Sequence, residues 1–168
     1  MKRNRTLLAA LTTALLVLGT NGGASVAGTV SRGDARGEVM ARYDITRVRY
    51  VNSADVFAVQ VKVRNLRNVR NAIVINTNTP FMGYDQFYIF AKRLPNGHKV
   101  SRLESGGSRI PCPRLRASWN FRADVVRVVV PQRCFGEGHG NQRATVAIGN
   151  PMAGDPADFV SRTVVPYR

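Results

Sequence analysis

The only histidines in this 168-residue sequence, the residue type that most often serves as general acid or base, are His98 and His139. His139 sits in Gly136-Glu137-Gly138-His139-Gly140, where glycines let a backbone approach a ligand closely and Glu137 is placed to orient the ring. His98 follows Pro95-Asn96-Gly97, at the exit of a tight turn, a poor place for a buried ligand. A nucleophile needs such a base within reach, yet the sequence has no His-Glu-x-x-His, no Gly-x-Ser-x-Gly and no phosphate-cradling Gly-Lys-Ser/Thr. Asp155 and Asp158 share a loop rich in Gly and Pro, where calcium would need further oxygen donors from elsewhere. Asp85, Glu104 and Asp124 are separated by strand-like runs. The expectation is a noncatalytic protein without cofactor or metal, with hydrolase chemistry the least favoured reading.

Binding is the chemistry that the remaining residues suit. Lys and Arg number 25 against 10 Asp and Glu; without Lys2, Arg3 and Arg5, the balance is 22 against 10, a net charge of +12. All but Lys62, Lys92 and Lys99 of those 22 are Arg, a bias that GC-rich coding produces with no selection for binding, so location matters more than total. The densest group is Arg42, Arg47, Arg49, Lys62, Arg64, Arg67 and Arg70. Alternation puts Lys62 with Arg64 on the outer face of one strand and Arg47 with Arg49 on one face of its neighbour. Such a basic stripe attracts anionic polymers with a strong dependence on salt. Aromatic residues are not interleaved with these cations, which disfavours nucleic acid relative to an anionic glycan or cell-wall polymer. A second candidate surface is aromatic: alternation places Tyr88 and Phe90 opposite Phe87 and Ile89, where amphipathic rings suit a sugar or another protein.

Cys112 and Cys134 are the only cysteines. An even count in an exported chain makes a disulfide between them the default, and a metal site would need more ligands. Closing a loop of about 23 residues stabilises a fold by roughly 3 kcal/mol in the chain-entropy model. No Cys-x-x-Cys spacing lowers a thiol pKa, so the expected role is structural.

The elements that must position these groups are short β-rich runs at 44–51, 56–64, 72–76, 84–92, 98–103, 116–121, 125–130 and 144–148, separated by turn residues. Phe57, Val59, Val61 and Val63 alternate with Ala58, Gln60, Lys62 and Arg64, one apolar face against one basic face. The 84–92 run is apolar on both faces, so it is central or its outer face is covered. Asn96-Gly97 predicts a tight hairpin to the next strand. Matching hydrophobic faces pairs Trp119 with Val128, Phe121 with Val126 and Ala117 with Val130 around a two-residue Ala123-Asp124 turn, with the disulfide stapling the open end. The fold class expected is an antiparallel β-sandwich, jelly-roll or immunoglobulin-like, with one disulfide.

The N-terminus carries the three parts of a secretory signal: cations at Lys2, Arg3 and Arg5, an apolar run from Leu7 to Leu18, and small residues before a cleavage site after Ala27. The apolar run is too short to span a bilayer as a helix, which takes about 20 residues. The expected organisation is a signal peptide over 1–27, a flexible leader over 28–42 and one β-sandwich domain over 43–168, secreted and with no transmembrane segment after cleavage.

The runs Ala72-Ile73-Val74-Ile75-Asn76-Thr77-Asn78, Tyr84-Asp85-Gln86-Phe87-Tyr88-Ile89 and Val126-Arg127-Val128-Val129-Val130-Pro131 resemble the DOMON-like β-sandwiches related to family 9 carbohydrate-binding modules. With its Cys-Pro-x-Leu-Arg segment, Cys112 to Arg116, and its Val-Pro-x-x-Cys segment, Val130 to Cys134, the chain also looks like small exported actinobacterial proteins of unassigned function. The first resemblance implies ligand binding by a sandwich. Asn76 and Asn78 stand where that family has an Asp-x-Asp pattern, which removes two carboxylates, and a single tryptophan cannot form an indole pair around a sugar. Haem, held in some DOMON domains by Met and His, finds no supporting spacing among Met82, Met152, His98 and His139. The expected function is a secreted binding domain for carbohydrate or anionic wall polymer, with an extracellular protein as the alternative partner.

Overall fold

The computed structural model describes residues 28–68, 71–78, 86–138, 140–149 and 157–167. The alternation from Phe57 to Val63 becomes strand β3 (Val56–Val63), with Phe57, Val59, Val61 and Val63 buried and Lys62 exposed. It pairs antiparallel with β2 (Ile45–Asn52) on one side and β9 (Val125–Pro131) on the other. With β1 (Gly28–Gly33) beyond β2 and β8 (Arg116–Asn120) beyond β9, the order of this five-stranded sheet is β1-β2-β3-β9-β8. The second sheet runs β11 (Asp158–Val165), β10 (Gln142–Gly149), β4 (Asn71–Asn78), β5 (Gln86–Arg93), β6 (Lys99–Ser105) and β7 (Ser108–Ile110), every neighbouring pair antiparallel. The fold is the expected antiparallel β-sandwich. The strand with two apolar faces, β5, lies inside its sheet between β4 and β6.

Between the sheets, Ile45, Val48, Tyr50, Val61, Val126 and Val128 of one meet Ile73, Ile75, Ile89, Leu103, Val146 and Ile148 of the other. Each aliphatic side chain so buried contributes about 1.5–3 kcal/mol. Three buried polar contacts also tie the layers together. Trp119 Nε1 on β8 donates to Asn71 Oδ1 on β4 at 2.6 Å. Asp158 on β11 accepts the Ile45 N–H of β2 at 2.6 Å. Asn52, at the end of β2, donates to Gly140 O and Val165 O at 2.8 and 3.2 Å and accepts from Gln132 Nε2. Each satisfies groups that would otherwise cost about 1–3 kcal/mol to bury.

The disulfide joins Cys112 and Cys134 with Cα atoms 5.4 Å apart. Cys134 lies in a kinked 3₁₀ segment, Gln132–Gly138, that follows β9. Phe135, next in sequence, meets Phe57 of one sheet and Phe87 of the other edge-to-face, with ring centroids 6.0 and 5.1 Å away.

Three expectations are corrected. Gly28–Gly33, placed in a flexible leader over 28–42, is a full partner of β2, from Gly28 opposite Asn52 to Gly33 opposite Arg47. One valine among polar residues gives no alternation to read, and the pairing comes from β2's free edge. Gly28 also approaches the C-terminal segment so closely that a Cβ there would stand 1.9 Å from Pro166 O. The β8–β9 hairpin pairs Trp119 with Val126 and Ala117 with Val128, two residues from the expected register, around a four-residue turn at 121–124. A two-residue slip buries the same faces, so hydrophobicity cannot choose between these registers. The turn chooses: Asp124 adopts a positive φ of 53°, and its carbonyl and carboxylate accept the N–H groups of Val63 and Leu66 at 3.0 Å each. Finally, β7 and β11 had no counterpart in the expected strand series.

Candidate functional site

Side-chain alternation divides β2, β3, β9 and β8 into a core face and an outer face, and the outer face is where the cations gather. The register aligns Arg49, Gln60, Arg127 and Ser118 in one row across the four strands. The next row is Arg47, Lys62, Val125 and Asn120; on the other side lie Val51, Ala58, Val129 and Arg116. No strand position in these rows is a carboxylate or an aromatic residue. Among the described residues, Arg47, Arg49, Arg116 and Arg127 form no ion pair with a carboxylate. Arg49 and Arg127 are two strands apart, about 10 Å, so their fields overlap within about one Debye length at physiological salt.

Of the four basic residues expected on this face, the structure brings three together. Lys62 is anchored near the face's edge, donating from Nζ to Ala123 O at 2.5 Å with the Asp124 carboxylate 3.9 Å away. Arg64 departs: β3 ends at Val63, and Arg64 turns its Nε to the buried Asp44 carboxylate at 3.1 Å. The same Asp44 oxygen accepts the Gly37 N–H at 2.8 Å. Alternation carried beyond the end of the strand misplaces this residue.

Two open concavities mark the ends of the face. One, of about 440 Å³, has Arg36, Arg47, Arg49 and Lys62 around Gln60 and Val125. The other, of about 510 Å³, has Arg114, Arg116 and Arg133 around a floor of Val56, Val129 and Pro131, with Asp55 on the rim. Arg36, Arg114, Arg116, Arg127 and Arg133 were not singled out from sequence. Arg127, outward between Val126 and Val128, and Arg116, outward of Ala117 and Trp119, had a usable signal in the alternation; Arg36, Arg114 and Arg133 lie outside the strands and had none.

On the opposite side of the molecule, Tyr88 and Phe90 point outward from β5 and are half-buried. Their rings stack on one another, with centroids 6.3 Å apart and planes at 22°. Arg102 lies 4.6 Å over the Phe90 ring and is paired with Glu104 at 2.6 Å. The rings therefore spend face area on each other and on a cation. The register extends the Phe90 row through Val74 and Ala147 to Phe159, which is 60% exposed.

Asp44, Asp124 and Asp158 serve the fold. Asp158 accepts N–H groups from Ile45 at 2.6 Å and Phe159 at 2.8 Å. Burial raises its pKa against those two hydrogen bonds, and the charges of Asp34 and Asp44 add to the rise. Asp34 is raised in the same way, chiefly by burial. Among the described residues no group of His, Cys, Asp or Glu is arranged to hold a metal ion. His98 sits at the hairpin exit, its N–H on Asn96 Oδ1 at 3.0 Å. His139, Asp85, Asp155, the Glu137 side chain and the signal-like segment 1–27 lie outside the described residues. No protein-family model and no curated protein matches the sequence.

Proposed function

We propose that this chain is an exported, noncatalytic domain that binds an anionic polymer, a charged glycan or wall polymer, on the outer face of the five-stranded sheet. The observation that carries this reading is the arrangement of Arg47, Arg49, Arg116, Arg127 and Lys62 on one face without a strand carboxylate among them. Arg47 stands directly opposite Lys62 but, unlike Lys62, has no carboxylate beside it among the described residues, so it is the cation of that row open to an anion. A face without aromatic side chains offers bases nothing to stack on, which favours wall polymers over single-stranded nucleic acid. The aromatic side of the molecule supports a second reading: the exposed Phe159 at the end of the Phe90 row suits contact with an extracellular protein.

The test is retention of the purified protein on insoluble acidic and neutral glycans and on isolated cell walls across a salt series. Binding to anionic material should fall as a power of salt concentration, with an exponent near −3 for about four neutralised charges. Replacing Arg49 and Arg127 together by Glu should abolish it. Salt-independent capture on a neutral glycan would move the site to Tyr88 and Phe90, and no capture on any polymer would end the proposal.

A further inference from the structure

The disulfide end of the cationic face holds a more specific arrangement. Cys112 O accepts the Leu115 N–H at 3.2 Å, closing a turn with Pro113 second and Arg114 third. Arg114 has φ +71°, a left-handed conformation that turns of this kind normally give to glycine or asparagine. Arg133 immediately precedes Cys134, so the disulfide fixes the backbone beside both arginines at once. Arg116, at the start of β8, completes a ring of three around the 510 Å³ concavity. Among the described residues none of the three is in an ion pair, and Asp55 lines the rim without meeting any of them as a salt bridge.

Three unneutralised guanidinium groups around one concavity repel each other and offer more charge and more N–H donors than a single carboxylate can use. A tetrahedral oxyanion uses them better, because its several oxygens accept the paired N–H groups of different arginines simultaneously. We infer that this concavity is a subsite for one phosphate group, carried as an ester on the polymer or free in solution. Asp55, a carboxylate at the rim, suits a hydroxyl or ammonium group next to that phosphate. The inference rests on the polymer-binding reading for its ligand but not for its geometry. Arg47, Arg49 and Arg127 supply general attraction, and Arg114, Arg116 and Arg133 select phosphate over carboxylate.

Arg114→Gly gives a clean test, since glycine suits the left-handed position and its melting temperature should equal or exceed the parent's. Binding of parent, Arg114→Gly and the double variant Arg49→Gln/Arg127→Gln would be measured for polyglycerol phosphate, charge-matched polygalacturonate and inorganic phosphate. The expected result is that Arg114→Gly weakens polyglycerol phosphate about tenfold, as for loss of one charge-assisted contact. Its binding to polygalacturonate should stay within about twofold, while the double variant weakens both polymers alike. Equal losses for both polymers with Arg114→Gly, or no loss for either, would overturn the subsite while leaving the charged face standing. If neither polymer binds, a saturable one-to-one titration by inorganic phosphate that Arg114→Gly weakens about tenfold supports the subsite with free phosphate as its ligand, and one that Arg114→Gly leaves unchanged overturns it. If inorganic phosphate also fails to saturate, subsite and polymer reading fall together.

Discussion

At the scale of single residues, the instructive contrast is between Arg64 and Arg49. Both are exposed arginines in the densest basic stretch, but Arg64 holds a carboxylate that is 1% exposed, whereas Arg49 holds none. Removing Arg64 leaves Asp44 buried with the Gly37 N–H in place and its strongest partner gone. Arg64→Ala should therefore lower stability by about 1–2 kcal/mol, the worth of a charge-assisted hydrogen bond discounted for the half-exposed guanidinium. Polymer affinity should change little, a pattern that denaturant melts and binding isotherms on the same samples would separate. Arg49→Ala should do the reverse.

Tyr50 adds a second prediction at this scale. Its ring is fully buried, and burial pushes the phenol up to about 12, against the opposing effects of the Thr163 side chain and the Arg32 charge. The unfolded phenol ionises near 10, so between about pH 10 and 12 the folded chain keeps a proton that the unfolded chain has lost. Stability is complete below about pH 10 and falls as pH rises toward 12, by about 2–3 kcal/mol for this group. Tyr50→Phe should flatten that decline in melts taken between pH 9 and 11.5, with little change at neutrality.

At the scale of elements, the disulfide matters because of what it connects. Cys112 lies between β7 of one sheet and β8 of the other, and Cys134 follows β9, so the bond closes the passage by which the chain changes layers. Reduction should destabilise the fold by roughly 3 kcal/mol, read as a lower denaturation midpoint in the presence of reductant. Reduction should also loosen the backbone at Arg114 and Arg133 and lower phosphate selectivity more than total polymer affinity. The hairpin beside it shows how an element can be recognised while its register is missed. The faces of β8 and β9 were legible because their period is two, and a slip of two residues leaves that period intact. Only the contacts of Asp124 with Val63 and Leu66 remove the ambiguity, and those come from a different part of the chain.

At the scale of the whole molecule, the sandwich sorts its surface chemically. The strand positions on the outer face of the five-stranded sheet are cationic without aromatic rings, whereas the outer face of the six-stranded sheet sets Tyr88, Phe90 and Phe159 among Lys92, Arg102, Arg109, Arg143 and Glu104. Both outer faces attract anions, and what distinguishes the five-stranded one is that its strand positions hold neither a carboxylate nor a ring among the cations.

By itself the sequence determined the class of fold, the disulfide, the two apolar faces of β5 and the outward aim of Lys62, Arg47 and Arg49. These follow from alternation, turn chemistry and cysteine count, all of which act over a few residues or on composition. Tertiary structure alone decided that β9 lies beside β3, which carries Arg127 into the row of Arg49, and that β1 closes the edge of β2. It also decided that Arg64 serves Asp44 and that Arg114, Arg116 and Arg133 share one concavity. Strand pairing at long range is set by the total burial and hydrogen bonding of the assembled sheets, and no local pattern carries that information.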